Sequence, residues 1–463
     1  MADWEKYRRK SKIEWTVDGL MPDIDHHTKT KHLMLESYLR DWVQTLTGNC
    51  KIGTSHITLV DGFCGGGIYR DENKDYWDGS PIRIIRAVEE GWSKVNEQKH
   101  YQSLDIAYLF IDKQEEHTKC LEHQIREAGF GELLDNGRCR VITGSFEDKL
   151  ESCLNLVRQR GGYSFFFLDP YGLVDLPRMS KAILDLGRSE VLLNHMQHDG
   201  LMRPIGWHKK KGSLPVFLER YNLSDHYNWC DESDTLPSLH RQALLHDAAL
   251  KLYREVSQPR FAWTFAFMRT QNTVYYYLIH LSNNPTAISV MKRTLWQYNN
   301  LDYQFHYGVV GLGYRTLDDL DRNLHLLDIN QRNHQACQDN LREQLDRFVF
   351  EERMIPFRSL FEGTVESHPA TREDYIGVIH RMVLDGDIEV VRDDVQRFTK
   401  RIYNRDIIRK SEAKQLILLS DRKSERIPNK RRASKVSSTR SNKNKLKSEN
   451  QGQGNLFPET ESN

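Results

Sequence analysis

Five short hydrophobic runs, each followed closely by polar residues, constrain the fold of this chain most. They occupy 57–67, 107–112, 139–148, 163–172 and 190–196, and they read ITLVDGFCGGG, AYLFID, CRVITGSFED, YSFFFLDPYG and EVLLNHM. β-Branched and aromatic residues dominate the runs, and helix-like sequence separates them. This alternation predicts an α/β fold with a parallel sheet, in which ligands bind beyond the carboxyl ends of the strands.

The polar residues that end these runs predict a single site. Asp61, Asp112, Asp169 and Asn194 each follow the apolar part of a run. A buried strand explains the apolar residues, but it does not explain why each strand should end on an acid or an amide. Because the carboxyl ends of parallel strands meet at one edge of a sheet, we expect these four side chains to lie close together.

Length and composition indicate a globular protein of more than one domain. The chain has 463 residues, of which 38% are hydrophobic and 28% charged, with a net charge of +1. No apolar run approaches the roughly 20 residues of a membrane-spanning helix, and the N-terminal sequence MADWEKYRRKSK lacks the apolar stretch of a signal peptide. The seven cysteines are scattered and never spaced C-x-x-C, which favours reduced thiols in a cytoplasmic protein without a metal site.

The order of the segments predicts a first domain at 1–310. A helix at 25–46 precedes the first strand, and a polar, mostly helical insertion at 197–258 interrupts the rhythm of the strands. The strand-like runs at 261–270 and 273–282 then predict an antiparallel hairpin at the end of the sheet.

The remainder of the chain predicts two further regions. At 311–420 the expected order is helix, helix, a third helix and a short strand pair, which is the order of a winged helix-turn-helix domain. At 421–463 the sequence is poor in apolar residues and rich in Lys, Arg, Ser and Asn, which predicts a disordered basic tail.

The glycine-rich turn after the first run predicts a nucleoside site. A phosphate-binding G-x-x-x-x-G-K-[ST] loop is excluded because no Lys-Ser/Thr follows, and Arg70 stands where the dinucleotide fingerprint needs a third glycine. A tight structural turn and an adenosine-type ligand remain as alternatives. The turn resembles motif I of class I S-adenosylmethionine (SAM)-dependent methyltransferases. That resemblance implies contacts to SAM from residues of the first three runs: Asp61, Gly62, Phe63, Gly65, Gly67, Asp112, Ser145 and Phe146.

The fourth run ends in a sequence that resembles a second methyltransferase motif. Asp169-Pro170-Tyr171-Gly172 is similar to the Asp-Pro-Pro-Tyr signature of enzymes that methylate exocyclic amines of adenine or cytosine. Carboxylate and carbonyl acceptors can orient the amine hydrogens, and an aromatic ring can stack on an extruded base. The sequence has one proline rather than two, so a turn punctuated by Pro and Gly stays open as an alternative.

Several segments in combination resemble the three-Cys-motif partner protein (TcmP) family. They read HTKTKHLMLESYLRDW, VDGFCGGGIY, WDGSP, FFFLDPYG, EVLLNHM and VMKRTLWQ. The resemblance implies a Rossmann-like methyltransferase domain with a winged-helix part, typically bacterial or phage-linked. It also implies a partner, a radical-SAM-like protein that carries three cysteines.

Basic and aromatic residues outside the sheet predict contacts with nucleic acid or with other proteins. Trp207, Lys209, Lys210 and Lys211 combine an aromatic ring with cations near the expected site, where they would contact the substrate together with Asn194. An exposed basic loop is the alternative explanation. In the tail, Gln453, Leu456 and Phe457 resemble the Gln-x-x-Leu-Phe peptide that binds the bacterial sliding clamp.

These observations predict a cytoplasmic SAM-dependent methyltransferase that acts on a nucleic-acid base. Asp169, Pro170 and Tyr171 would hold the acceptor, and no metal is expected. The alternative keeps the fold without the chemistry: a SAM- or nucleic-acid-binding partner of the three-Cys protein in a phage or defence module.

Overall fold

The computed structural model describes residues 14–48, 53–96, 102–231, 238–270, 273–301, 312–316, 326–393, 395–396 and 401–411. These residues belong to one compact unit, Met1–Glu412. The tail at 421–463, with the clamp-like segment, lies outside the described residues.

An eight-stranded, mostly parallel sheet forms the centre of the unit. Its strands are β1 (Gly53–Asp61), β4 (Gln102–Asp112), β5 (Cys139–Thr143), β6 (Tyr163–Leu168), β7 (Ser189–His195), β8 (Phe261–Thr270), β9 (Thr273–Ser282) and β10 (Leu312–Tyr314). They are arranged in the order β10-β8-β9-β7-β6-β1-β4-β5. The five hydrophobic runs all form parallel strands, which confirms the predicted sheet.

The predicted hairpin is also confirmed. Strand β9 pairs antiparallel with both β7 and β8, so the hairpin extends the parallel part of the sheet. On the other side, the chain runs outward from β1 to β4 and β5 and then returns to place β6 beside β1. This reversal next to β1 is the switch point where open α/β sheets bind ligands.

Helices cover both faces of the sheet. They are α1 (His26–Gly48), α2 (Ser80–Asn96), α3 (Glu115–Glu127), α4 (Gly131–Asp135), α5 (Phe146–Arg160), α6 (Leu176–Leu184) and α11 (Pro285–Tyr298). Helices α1, α2 and α11 contribute to one apolar cluster with side chains such as Phe165 and Leu192, while α5 and α6 pack on the opposite face with Phe166 and Leu193. The alternation of neighbouring strand residues between the two clusters is what buries both faces of a parallel sheet.

The insertion is helical and has its own small core. A π-helical turn (Gln197–Met202) leads into α7 (Arg203–Lys210), α8 (Leu214–Arg220), α9 (Ser224–Tyr227) and α10 (Ser238–Val256). Its apolar cluster includes Leu201, Phe217 and Leu245. A two-stranded ribbon, β2 (Ile68–Arg70) and β3 (Tyr76–Asp78), follows the glycine turn.

The C-terminal elements alternate helices with a small sheet. They are α12 (Leu326–Glu352), β11 (Met354–Pro356), α13 (Phe357–Thr364), α14 (Arg372–Leu384), β12 (Ile388–Arg392), β13 (Val395–Gln396) and β14 (Ile407–Lys410). The strands are arranged in the order β11-β14-β12-β13. Within this region Thr371 caps α14 in a reciprocal capping box with Asp374.

Two further features concern the described residues only. None of the helices described is long and apolar enough to cross a membrane. The six cysteines within the described ranges are all buried and form no disulfide.

Candidate functional site

The register of the strands brings the predicted polar residues to one edge of the sheet. Asp61 lies opposite Phe110 of β4 and Phe167 of β6. Leu168 pairs with Leu193, so Asp169 and Asn194 leave adjacent strands side by side. The edge therefore collects side chains from the ends of β1, β4, β6 and β7.

Asp61 is the most buried acid of this edge. Its side chain is 0% exposed and accepts hydrogen bonds from the Ser80 hydroxyl at 2.7 Å and from the Phe63 amide at 3.1 Å. Burial raises the pKa of Asp61 to about 7, and the nearby carboxylates of Asp169 and Asp112 act in the same direction. The Asp61 carboxyl group therefore loses its proton and becomes negatively charged within the neutral pH range.

Asp112 fixes the glycine turn to the end of the second parallel strand. Its Oδ2 accepts from the Gly65 amide at 3.2 Å. Its Oδ1 accepts from the Gln114 amide and lies 2.9 Å from Nδ1 of His117. The carboxylate keeps 16% of its surface exposed, so it remains within reach of a ligand.

Trp15 covers the glycine turn. Gly65 has a φ of +60°, and a Cβ added to Gly65 or Gly66 would lie 2.9 or 2.2 Å from Trp15 ring atoms. The indole N–H donates to the Ile68 carbonyl, and the ring meets His117 edge-on at 4.7 Å. The close approach that these glycines permit is therefore made by the protein's own Trp15, which belongs to none of the motifs or periodic segments of the sequence.

The other predicted cofactor residues form the wall beneath the turn. A Cβ on Gly62 would lie 2.9 Å from Leu168 and 3.0 Å from the buried ring of Phe146. Phe63 packs on Phe146 with ring centroids 5.7 Å apart. Ser145 caps α5, because its hydroxyl oxygen accepts from the Asp148 amide at 3.2 Å. Contacts of Ser145 and Phe146 with a ligand stay a prediction.

Asp169 is held by Asn194, which was predicted to lie at this edge, and by Lys31, which was not. Its Oδ1 accepts from Nδ2 of Asn194 at 2.7 Å, and its Oδ2 forms an ion pair with Lys31 of α1. The Lys31 side chain is only 5% exposed, and its Nζ lies 5.3 Å from the Tyr276 ring centroid. None of the described residues donates a hydrogen bond to the buried Oδ1 of Asn194.

The residues after Asp169 differ sharply in exposure. Pro170 is buried, whereas Tyr171 is 61% exposed and presents a ring surface next to Asp169. Gly172 follows with a φ of +119°, a conformation that favours glycine. The backbone therefore turns away from the strand immediately after the exposed ring.

The basic patch of the insertion is a local cluster. The Nζ of Lys211 lies 4.2 Å from the Trp207 ring centroid, and His208 meets the same ring at 4.7 Å. Lys210 and Lys211 are exposed, and Trp207 and Lys209 are partly buried.

The electrostatics of the edge favour a cationic ligand. Three carboxyl groups, from Asp61, Asp112 and Asp169, meet there, and Lys31 supplies one ammonium group. Opposite charge brought to such a site stabilises the ionised acids. In the described part of the chain, no cluster of three or more His, Cys, Asp or Glu side chains could hold a metal ion.

Comparison with known proteins yields similarity in structure only. No family model matches the chain, and no curated protein matches it in sequence, so the resemblance to the TcmP family gains no support.

Three of the similar solved structures show how limited the similarity is in identity and TM-score. The METTL16 MTase domain is 12% identical, with 59% of this chain and 73% of that chain covered and a TM-score of 0.31. Cofactor-bound Rv0187 from MTB is 12% identical, with 56% and 91% covered and a TM-score of 0.28. The O-methyltransferase from Bacillus cereus in complex with SAH is 12% identical, with 57% and 94% covered and a TM-score of 0.27. Scores this low establish no shared fold by themselves, so the Rossmann-like assignment depends on strand order and direction.

Proposed function

We propose that this chain is a SAM-dependent methyltransferase that acts on an exocyclic amine of a nucleic-acid base. One observation carries the proposal: Asp61, Asp112 and Asp169 meet beside a glycine turn, where the strand order reverses. A binding site at this place is the rule for open α/β sheets. The resemblance of the first and fourth runs to methyltransferase motifs supports the same conclusion.

The residues at the edge fit SAM by charge and by hydrogen-bonding chemistry. Asp112 would accept from the ribose hydroxyls, since its side chain is partly exposed and its Oδ2 has one described donor, the Gly65 amide. Asp61 and the turn at 62–67 would hold the amino-acid part on the side of the turn that Trp15 does not cover. Phe63, Ser145 and Phe146 would border the adenine. When bound, SAM supplies an electrophilic methyl group on a positively charged sulfur. The surplus of carboxylates over Lys31 complements that charge.

The acceptor would bind at Asp169, Pro170 and Tyr171. Asp169 and the Pro170 carbonyl can accept the amine hydrogens and direct the nitrogen lone pair, while the exposed Tyr171 ring can stack on the base. The lone pair would form the new N–C bond, and the electron pair of the methyl–sulfur bond would leave with the sulfur. The amine then releases a proton to Asp169, whose side chain is 21% exposed and can pass it to water.

Transfer of a labelled methyl group tests this function. We expect wild-type protein to label DNA or RNA, and Asp112→Asn to weaken SAM binding measured by calorimetry. Asp169→Ala should abolish transfer while SAM still binds. Asp135→Ala, which removes an exposed carboxylate paired with Arg126, is the matched control and should behave as wild type. Labelling that survives Asp169→Ala would contradict the role given to this acid.

We also propose that the C-terminal elements form a winged-helix-like domain. Their order of helix, strand, two helices and a strand pair supports this assignment, with α14 in the position of a recognition helix. Arg372, His380 and Arg381 would then contact phosphates or a groove. The basic tail, and the patch of Trp207 and Lys209–Lys211, would add electrostatic attraction to nucleic acid.

The alternative is a non-catalytic partner of a three-Cys radical-SAM-like protein in a phage or defence module. Leu384, at the end of α14, is 73% exposed, and Glu373 is exposed on the same helix. An exposed apolar residue and an exposed acid favour contact with a protein over contact with a phosphate. SAM binding without transfer to any nucleic acid would support this alternative. For either function we also propose that the protein is bacterial and cytoplasmic, and that its C-terminal tail binds the sliding clamp.

A further inference from the structure

A cavity of about 150 Å³ lies between the carboxyl ends of β6 and β7 and the helices of the insertion. Apolar side chains from the loop after Asp169 and from the insertion supply much of its lining: Leu173, Val174, Leu201, Leu223, Leu252 and Val256. Asn194, which donates to Asp169, also lines it. The cavity therefore begins beside Asp169, one of the residues proposed to hold the methyl acceptor.

Two neighbouring polar residues of the lining are buried without complete pairing. His195 is 9% exposed and Asn194 is 3% exposed. Within the described residues, Nε2 of His195 and Oδ1 of Asn194 have no hydrogen-bond partner of good geometry, although the buried Gln197 side chain lies near enough to His195 to raise its pKa slightly against the effect of burial. A buried polar atom without a partner is costly, which makes such atoms candidates for contact with a ligand.

The hydrogen bond of His195 to Tyr253 defines its free nitrogen. Nδ1 of His195 lies 3.3 Å from the Tyr253 hydroxyl, and both residues line the cavity. Burial lowers the pKa of His195 to about 4, so the ring is neutral at pH 7. With the Tyr253 O–H donating to Nδ1, Nε2 carries the proton and is a donor. Asn194 supplies the complementary acceptor.

The border of the cavity carries two cations. Arg178 and Arg220 belong to the lining, and both are exposed residues. The Arg178 guanidinium lies 3.5 Å from Asp175, a loose pair, and that of Arg220 lies over the Tyr221 ring at 5.8 Å. Arginines beside a cavity of this size would hold the phosphate of a nucleotide whose ring enters it.

We infer that this cavity receives the pyrimidine ring of a cytosine nucleotide, with Asn194 Oδ1 accepting from the exocyclic amine and His195 Nε2 donating to the ring nitrogen. The inference rests on the proposed function and narrows its substrate. The amine stays beside Asp169, Asn194 Oδ1 replaces the Pro170 carbonyl as its second acceptor, and the ring lies in the cavity rather than against Tyr171. A cavity of about 150 Å³ is known to take up benzene, a single six-membered ring. Cytosine has one such ring and adenine has two, so size favours cytosine over adenine. The pairing of amine with ring nitrogen favours cytosine over uracil.

Binding of CMP, AMP and UMP to the full chain tests the inference without requiring methyl transfer. By ligand-observed NMR we expect CMP to bind, with AMP and UMP weaker by about tenfold or more. His195→Phe should weaken CMP binding by a similar factor, because it keeps the ring and removes the donor. Leu252→Phe should also weaken it, because the larger side chain fills the cavity.

Leu214→Phe is the matched control, since Leu214 belongs to the same apolar cluster but does not line the cavity. It should leave CMP binding within about twofold of wild type. Equal binding of AMP or UMP, or unchanged CMP binding in His195→Phe that is folded by circular dichroism, would overturn the inference. Binding of CMP without any SAM binding would support the cavity assignment and reject the proposed function, so the two failures are distinguishable.

Discussion

Lys31 and Asp169 form an ion pair that joins α1 to the residue that directly follows β6. Both partners are largely withdrawn from water, with side chains 5% and 21% exposed. The acid proposed to orient the acceptor is therefore held in place by α1 on one side and by Asn194 on the other. A pair with this burial has more effect on position and stability than an exposed surface pair.

Removal of the ammonium group should impair both stability and turnover. We expect Lys31→Met to lower the free energy of unfolding by about 2–3 kcal/mol, because it leaves a partly buried carboxylate unpaired. The rate of methyl transfer should fall by roughly 10–100-fold with a small change in the KM for SAM. Urea denaturation and initial rates measure the two effects.

A double variant separates pairing from packing. If the loss of stability comes from the unpaired carboxylate, Lys31→Met combined with Asp169→Asn should be more stable than the sum of the single effects. Lys29→Met, which breaks a pair with Asp71 and Glu72 two residues earlier on α1, is the control for activity. Additive single effects would contradict the coupling.

Binding of a cationic cofactor should depend on the charge of Asp61. The pKa of Asp61 is about 7 without a ligand, and a positive charge nearby favours the ionised form. SAM should therefore bind more tightly as the pH rises from about 6 to 8, by up to about tenfold per pH unit below the pKa. Calorimetry across this range measures the effect, and Asp61→Asn should flatten it.

Without ligand, Asp61 should make the stability of the folded chain fall as the pH rises, whereas the affinity for SAM should rise. Its pKa is raised above the ordinary value of 3.8, so between about pH 4 and pH 7 the folded chain keeps a proton that the unfolded chain releases. Stability should therefore fall as the pH rises through this window. Thermal unfolding of wild type should show a steeper fall than Asp61→Asn, and parallel curves would reject the assigned pKa.

The sheet and the meeting of its acids could be predicted because both follow from local sequence. Runs of β-branched and aromatic residues form β1, β4, β5, β6 and β7, and parallel pairing places their ends together. The hairpin followed in the same way from two such runs in succession. The helices of the insertion were harder to delimit, because that segment is polar and its apolar residues pack mainly on one another.

The partners of these acids depend on tertiary contacts that the runs do not encode. The periodicity of α1 includes Lys31, which precedes Leu35 by four residues and Tyr38 by seven, and all three are buried. The apolar residue Leu33, two positions after Lys31, is in contrast 37% exposed. A lysine on the buried face of a helix is thus a detectable signal, whereas Trp15 stands outside any periodic segment.

Trp15 should contribute to both the stability and the ligand affinity of the glycine turn. It is 6% exposed and fills the space against Gly65 and Gly66. We expect Trp15→Ala to cost about 3–5 kcal/mol in urea denaturation and to weaken SAM binding, because His117, which is hydrogen-bonded to Asp112, loses its packing partner. Trp229→Ala, in the insertion, is the control and should leave SAM binding unchanged. Equal affinity in the Trp15 variant would show that the turn holds its shape alone.

Lys292 should make the stability of the chain rise with pH above neutrality. Its side chain is fully buried, contacts the Val365 carbonyl, donates to the His368 carbonyl at 2.7 Å, and lies 3.9 Å from the Trp263 ring centroid. Burial lowers the pKa of Lys292 from 10.5 to about 7. Between these two values the unfolded chain binds the extra proton, so rising pH favours the folded state.

The difference between wild type and Lys292→Met isolates this contribution from other titrating groups. The urea midpoint of wild type should rise relative to that of the variant between about pH 7.5 and pH 9.5. Lys251→Met removes an exposed lysine of α10 and should run parallel to wild type. If Lys292→Met also runs parallel, Lys292 keeps its proton in the folded chain, and its hydrogen bonds to the carbonyls between α13 and α14 then outweigh the cost of burial.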